Sequence, residues 1–279
     1  MTMLRRTAIA VIGTAILVGW QAAGHAQDAR QALSQASVIE EIKARGTLRV
    51  GLDTFVPWAM RAMSGELIGF EVDVARKIAQ DMGVELELVP TAWDGIIPAL
   101  VAGKFDAIIS GMSVTPQRNL TVNFTVPYAS SGIGLLANKQ LAGAFKSVED
   151  FNKPEVKLAV RRGATPVQVA QRLMPNAELL QFDDENQAVQ EVLNGNAHAL
   201  LASEPLPAFT ALKNPDKVVL PFDDDLQDSA EAIALRKGDP DALNWFNNWI
   251  LTNSLNGWLD DRHDYWFASL DWQDQVEGQ

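Results

Sequence analysis

The chain has 279 residues, a formal net charge of −12 and no cysteine. Disulfides, thiolate metal sites and cysteine nucleophiles are therefore excluded. An acidic chain also lacks the lysine and arginine patches that phosphate contacts demand, so nucleic acid is excluded as a partner. Residues 1–26 read as a removable export signal. Arg5 and Arg6 form a basic start, Thr7 to Trp20 is mostly apolar, and Gly24-His25-Ala26 supplies the small residues of a cleavage site. Arg5-Arg6 lacks the rest of a twin-arginine pattern, which points to the general secretory route. The mature chain would begin near Gln27, and no later apolar run approaches the ~20 residues of a membrane span. The remaining ~250 residues exceed the usual size of a single core, so two lobes are expected.

Taken in order, strands alternate with helices. Thr47 to Gly51 is a short strand, and Val72 to Met82 places Val74, Ala75, Ile78 and Met82 on one helical stripe before Gly83. Val84, Leu86 and Leu88 alternate with acids as a half-buried strand ending at Pro90. Asp94 is placed to cap a helix running through Ala102, and Ala107-Ile108-Ile109 is apolar enough for a buried parallel strand. The small residues of Pro127 to Gly132 suit a crossover between lobes.

The rhythm then restarts. Val156 to Val160 is a strand, Thr165-Pro166 reads as an N-cap and first turn, and Ala177 to Phe182 is a strand. Glu185 to Leu193 is a helix, Ala197 to Ala202 a strand, and Glu231 to Pro240 a strand and turn before a tryptophan-rich helical tail. Asp223-Asp224-Asp225 reads as a solvated loop. The expected fold is α/β, with two lobes and two crossovers: residues 40–129 with 230–270 in the first lobe, and residues 134–226 inserted as the second.

The chemistry-bearing residues gather at strand ends. Ser110, Gly111 and Ser113 follow the Ala107–Ile109 strand, and Arg118 comes after them, so a planar guanidinium fork stands beside hydroxyls and backbone donors. That combination suits a small carboxylate, and α/β sheets place ligands at such strand ends. Gly163-Ala164-Thr165 precedes a helix and its amides form an anion nest. Phe55, Trp58 and Trp93 lie in loops after strands, where rings can stack on a ligand; for Trp58, core packing is an equal alternative.

Gly69-Phe70-Glu71-Val72-Asp73, Ile96-Ile97-Pro98-Ala99-Leu100 and Ser113-Val114-Thr115 with Arg118 together resemble family 3 of the periplasmic (extracellular) solute-binding proteins, the polar amino-acid group. The likeness continues more weakly through Trp266. It implies a type II, venus-flytrap fold, a location in the periplasm, and delivery of the ligand to an inner-membrane ABC permease by a monomer. It further implies that Gly111, Ser113 and Arg118 hold the ligand's α-carboxylate, with Thr165 joining from the second lobe. Phe55 and Trp93 match the sandwiching aromatics, and Asp53 matches an acid that meets the distal polar group.

One departure concerns the ligand's α-ammonium. The resemblance places an aspartate at the end of the Ala197–Ala202 strand to accept it, and this chain has Ser203 there. Either Glu204 substitutes, or the ligand lacks an ordinary ammonium, or Glu204 only faces solvent before Pro205. Arg161 and Arg162 precede the Gly163 nest, and alternation lets at most one point at the ligand; Arg161 matches a lysine position that touches ligand in some members. An acidic or N-modified amino acid follows as a candidate ligand.

Catalysis has little support. His198 and His263 are the only histidines of the mature chain and show no metal-binding spacing, and the serines show no nucleophile elbow. No cofactor, metal or catalytic residue is expected. Two alternatives to transport remain: a cyclohexadienyl dehydratase-like reaction with Glu204 as the acid, and a ligand sensor acting in trans on a membrane receptor.

Overall fold

The computed structural model describes residues 37–276, so the predicted leader lies outside the described residues. A first helix, α1 (Val38–Arg45), precedes β1 (Thr47–Leu52), in which Leu48, Val50 and Leu52 are buried. A small hairpin, β2 (Met60–Arg61) with β3 (Leu67–Ile68), leads into α2 (Phe70–Met82). That helix buries Val74, Ala75 and Ile78 of the expected stripe, with Met82 half-buried against the same core, and buries Phe70 as well. β4 (Glu85–Pro90), α3 (Trp93–Val101), β5 (Ala107–Ile108) and β6 (Asn123–Phe124) complete the first run.

β7 (Ala129–Asn138) leaves that lobe and enters the second. There β8 (Lys157–Arg161), α4 (Thr165–Leu173), β9 (Glu178–Phe182), α5 (Glu185–Leu193), β10 (Ala199–Ser203), α6 (Leu206–Lys213) and β11 (Val218–Val219) build the second sheet. β12 (Gln227–Glu231) runs back antiparallel to β7, from Gln227 opposite Ile133 to Glu231 opposite Ala129. β13 (Ala234–Leu235) then rejoins the first sheet, whose order is β4-β1-β5-β13-β6, and α7 (Pro240–Leu255) starts the C-terminal tail. The second sheet runs β11-β7-β10-β8-β9, with β12 paired to β7.

The chain thus crosses between sheets twice, in an α/β fold of two lobes. β1, β4 and β5 are parallel, as are β8, β9 and β10, so the loops after these strands open toward one cleft. The first lobe's core takes in Trp249, Trp266 and Trp272 of the tail. The second sheet is buried on both faces, with Leu135, Leu158, Val160 and Leu201 against α4 on one and Leu136, Ala159 and Leu200 against α5 on the other.

Two capping expectations are corrected. Asp94 sits inside the first turn of α3, whose N-cap is Ala92 without a side-chain bond, because the helix starts two residues earlier than that cap implies, at Trp93. A carboxylate in that turn still complements the helix dipole. Thr165 likewise does not cap α4; Ala164 precedes the helix, and the Thr165 hydroxyl is free to face the other lobe.

Candidate ligand-binding site

Arg118 stands in a short helical turn, Pro116–Asn119, held by the Thr115 hydroxyl accepting from the Arg118 amide at 3.2 Å. Its Nη1 donates to the Ser113 carbonyl at 2.8 Å and to the Thr165 hydroxyl at 3.4 Å, and Nη2 donates to the Gly163 carbonyl at 3.2 Å. Ser113 belongs to the first lobe, Gly163 and Thr165 to the second. Among the described residues no carboxylate lies in ion-pair range of Arg118, which is 9% exposed. Burial, and next the charge of Arg161, lower its pKa to about 10, so it stays charged at neutral pH. A buried guanidinium satisfied only by neutral oxygens is a strong attractor for an anion.

Arg161 ends β8 with its side chain 5% exposed. The guanidinium carbon lies 4.5 Å from the centre of the Trp93 ring and 4.8 Å from that of Phe55. Both distances are within cation–π range. Its Nη1 donates to Asp53 Oδ2 at 3.2 Å, and its Nε is 3.0 Å from Glu185 Oε2, close enough for an ion pair though not aligned as a hydrogen bond. Burial raises the Asp53 and Glu185 carboxyls, and Arg161 opposes that rise at both. Arg162 instead points outward to Asp183 at 2.8 Å, so Arg161 is the arginine that faces the cleft.

These contacts tie the lobes together. Trp93 Nε1 of the first lobe donates to the Gly163 carbonyl at 3.2 Å, beside the Arg118 and Arg161 bridges. Asp53, Phe55, Trp93, Ser113, Arg118, Arg161 and Thr165 therefore form one connected group between the lobes. A separate cavity of about 370 Å³ also borders Phe55, but Trp93, Arg118 and Arg161 do not line it.

The remaining sequence candidates serve the walls. Ser110 is fully buried and accepts from the Asp53 amide at 2.9 Å, setting the loop that carries Asp53. The Gly111 amide, expected to face the carboxylate, donates to Glu71 Oε1 at 2.8 Å. Gly111 has φ +55°, and a Cβ there would stand 2.8 Å from Phe55 Cζ and 3.1 Å from Trp58 Cε3, so the glycine leaves room for the tip of the Phe55 ring and for Trp58. The Ser113 hydroxyl accepts from Ser229 of β12 at 2.8 Å.

Trp58, Ser203 and Glu204 do not join the group around Arg118. Trp58 is 1% exposed and packs against Phe55, Phe70 and Phe267, with Nε1 donating to the Glu204 carbonyl. Core packing is thus the role that its large apolar surface takes. Ser203 pairs with Ile133 on the face of Leu201, opposite to the face of Arg161. The Glu204 carboxylate turns to α6, accepting from the Ala208 amide at 3.4 Å, and lies where a Cβ on Gly134 would meet it. Burial raises it to about 7, and Asp225 adds to the rise.

Sequence reasoning missed Glu185, Glu71, Tyr128 and Glu231. Glu185 sits in an acidic run, Asp183-Asp184-Glu185, directly after the strand beside Arg161, and that adjacency was the available signal. Glu71 is fully buried and accepts from Gly111 and from the Tyr128 hydroxyl at 2.7 Å. Burial pushes it up to about 8. Glu231 closes the hinge side, accepting from Ser131 at 3.0 Å.

A family model for bacterial extracellular solute-binding proteins, family 3, matches residues 48–269. The chain belongs to this family. The L-cystine-binding protein TcyJ of Escherichia coli K12 is 27% identical over 266 residues, 95% of this chain and 96% of that one. A solved structure described as the binding component of an ABC transporter from Wolinella succinogenes, in complex with lysine, is 44% identical with TM-score 0.77 and covers 82% of this chain and 99% of its own. An ancestral amino-acid-binding protein described as a precursor of cyclohexadienyl dehydratase is 42% identical with TM-score 0.77, covering 83% and 100%. The two-lobed architecture is that of these neighbours.

Proposed function

We propose that this chain is the periplasmic substrate-binding component of an ABC importer and captures an amino acid, or an amino-acid derivative, by its carboxylate. The observation that carries the reading is Arg118, a buried cation shared by both lobes and paired with neutral oxygens alone. Family membership and the cystine- and lysine-binding relatives support the substrate class.

The moving bodies in this reading are residues 40–129 with 230–270, and residues 134–226, hinged where β7 and β12 cross. Ligand contacts from Arg118 on one side and Thr165 on the other favour the closed arrangement, so binding is a population shift toward closure. The chain acts as a monomer that presents its closed form to a membrane permease, after export with loss of the leader.

It is proposed to bind without turnover. The dehydratase alternative needs an acid aimed at the substrate, and Glu204, though raised into a useful range, is directed at the start of α6. A thermal-shift screen of ligand-stripped mature protein against amino acids, their N-modified forms and prephenate tests both readings. A saturable rise in melting temperature with an amino acid supports transport. Conversion of prephenate would replace it with the enzyme reading.

A further inference from the structure

Two aromatic faces and a carboxylate, converging from one lobe, are the parts of a cation site: ring quadrupoles attract positive charge, and the acid fixes it. Phe55, Trp93 and Asp53 are such a set, all contributed by the first lobe. The cation that fills it comes from the second lobe of the same chain. The Arg161 guanidinium lies between the two rings, holds Asp53 at 3.2 Å, and is balanced from its own side by Glu185 at 3.0 Å.

We propose that Arg161 is a specificity-determining residue that occupies the cation slot formed by Phe55, Trp93 and Asp53, turning away amino acids with a positively charged end and selecting ligands whose distal group accepts hydrogen bonds. The proposal rests on the reading of the chain as an amino-acid-binding protein and names its substrate class.

Three physical facts favour it. A lysine- or arginine-like end would have to displace a guanidinium already paired with two acids and two rings, and would meet Arg118 nearby as a second like charge. The guanidinium is a planar fork, and Nη2 of Arg161 donates to no group among the described residues, which leaves an edge for an amide or carboxylate oxygen. Rejecting one ligand class by a like charge is an ordinary route to specificity.

The test is calorimetry on ligand-stripped mature protein with L-glutamate, L-glutamine, L-lysine and L-arginine. The unaltered chain is expected to bind glutamate or glutamine at least about tenfold more tightly than lysine or arginine. Arg161→Ala is expected to reverse that order by opening the slot beside Asp53. Because that change leaves the buried Glu185 and the half-buried Asp53 without their cation, the double variant Arg161→Met with Glu185→Gln, which removes one charge of each sign, provides the same readout in a balanced background. Tight lysine or arginine binding by the unaltered chain overturns the proposal, as does a ligand order that survives both variants. Binding of none of the four by any form, with folding intact, overturns the proposal, while the amino-acid reading stands or falls separately on the wider thermal-shift screen.

Discussion

Arg161 and Asp53 form an ion pair across the cleft, Nη1 to Oδ2 at 3.2 Å, with the arginine on the second lobe and the aspartate on the first. The pair is one of a few contacts that join the lobes, together with Trp93 and Arg118 on the Gly163 carbonyl. Asp53→Ala is expected to shift the ligand-free protein toward open forms, seen as a larger radius of gyration in solution scattering. The partly buried pair is also expected to cost about 1–3 kcal/mol when one member is removed. An unchanged scattering profile would show that the other contacts suffice.

Gly111 offers a purely steric prediction. At φ +55°, with Phe55 Cζ 2.8 Å from the place of an added Cβ, Gly111→Ala strains the backbone and pushes the ring that covers Arg161. A loss of about 1–3 kcal/mol in urea unfolding is expected, with weaker ligand binding alongside it.

Glu71 gives a pH dependence whose sign follows from burial. Its carboxyl is raised to about 8 from an ordinary value of 4.5, so between those values the folded chain holds a proton that the unfolded chain releases. Its contribution to stability is therefore full at low pH and is lost progressively as pH rises toward 8. Every tenfold gain in proton affinity on folding is worth about 1.4 kcal/mol. Glu71→Gln keeps the shape of the protonated acid, and is expected to flatten the fall in unfolding free energy between about pH 5 and about pH 8.5. A slope equal to that of the unaltered chain would contradict a protonated Glu71.

Much of the fold was legible because periodicity reports burial. The stripe of α2 and the apolar β5 and β8 are local patterns, and the structure uses them as written. β12 was not legible: Gln-Asp-Ser-Ala-Glu has no apolar alternation, and it is a strand only because β7 offers it an edge at the crossover. In the site, Phe55, Trp93, Arg118 and Arg161 could be read from their places after strands. Trp58 and Glu204 could not, since a loop tryptophan and an acid before a proline each depend on which way the chain turns. Glu71 looked like one more acid on an amphipathic helix, and only the approach of Gly111 and Tyr128 buries it. Glu185 needed the phase of α5 to distinguish it from Asp183 and Asp184.

The buried Arg118 guanidinium is proposed to capture the carboxylate of an amino acid. Titration calorimetry of Arg118→Ala against the unaltered chain, using whichever amino acid the thermal screen identifies, tests it most directly. Truncating a buried, hydrogen-bonded charge costs about 2–5 kcal/mol, so the dissociation constant is expected to rise by a factor of about 30 or more while circular dichroism stays the same. One-to-one binding of undiminished affinity by the folded variant would contradict the account.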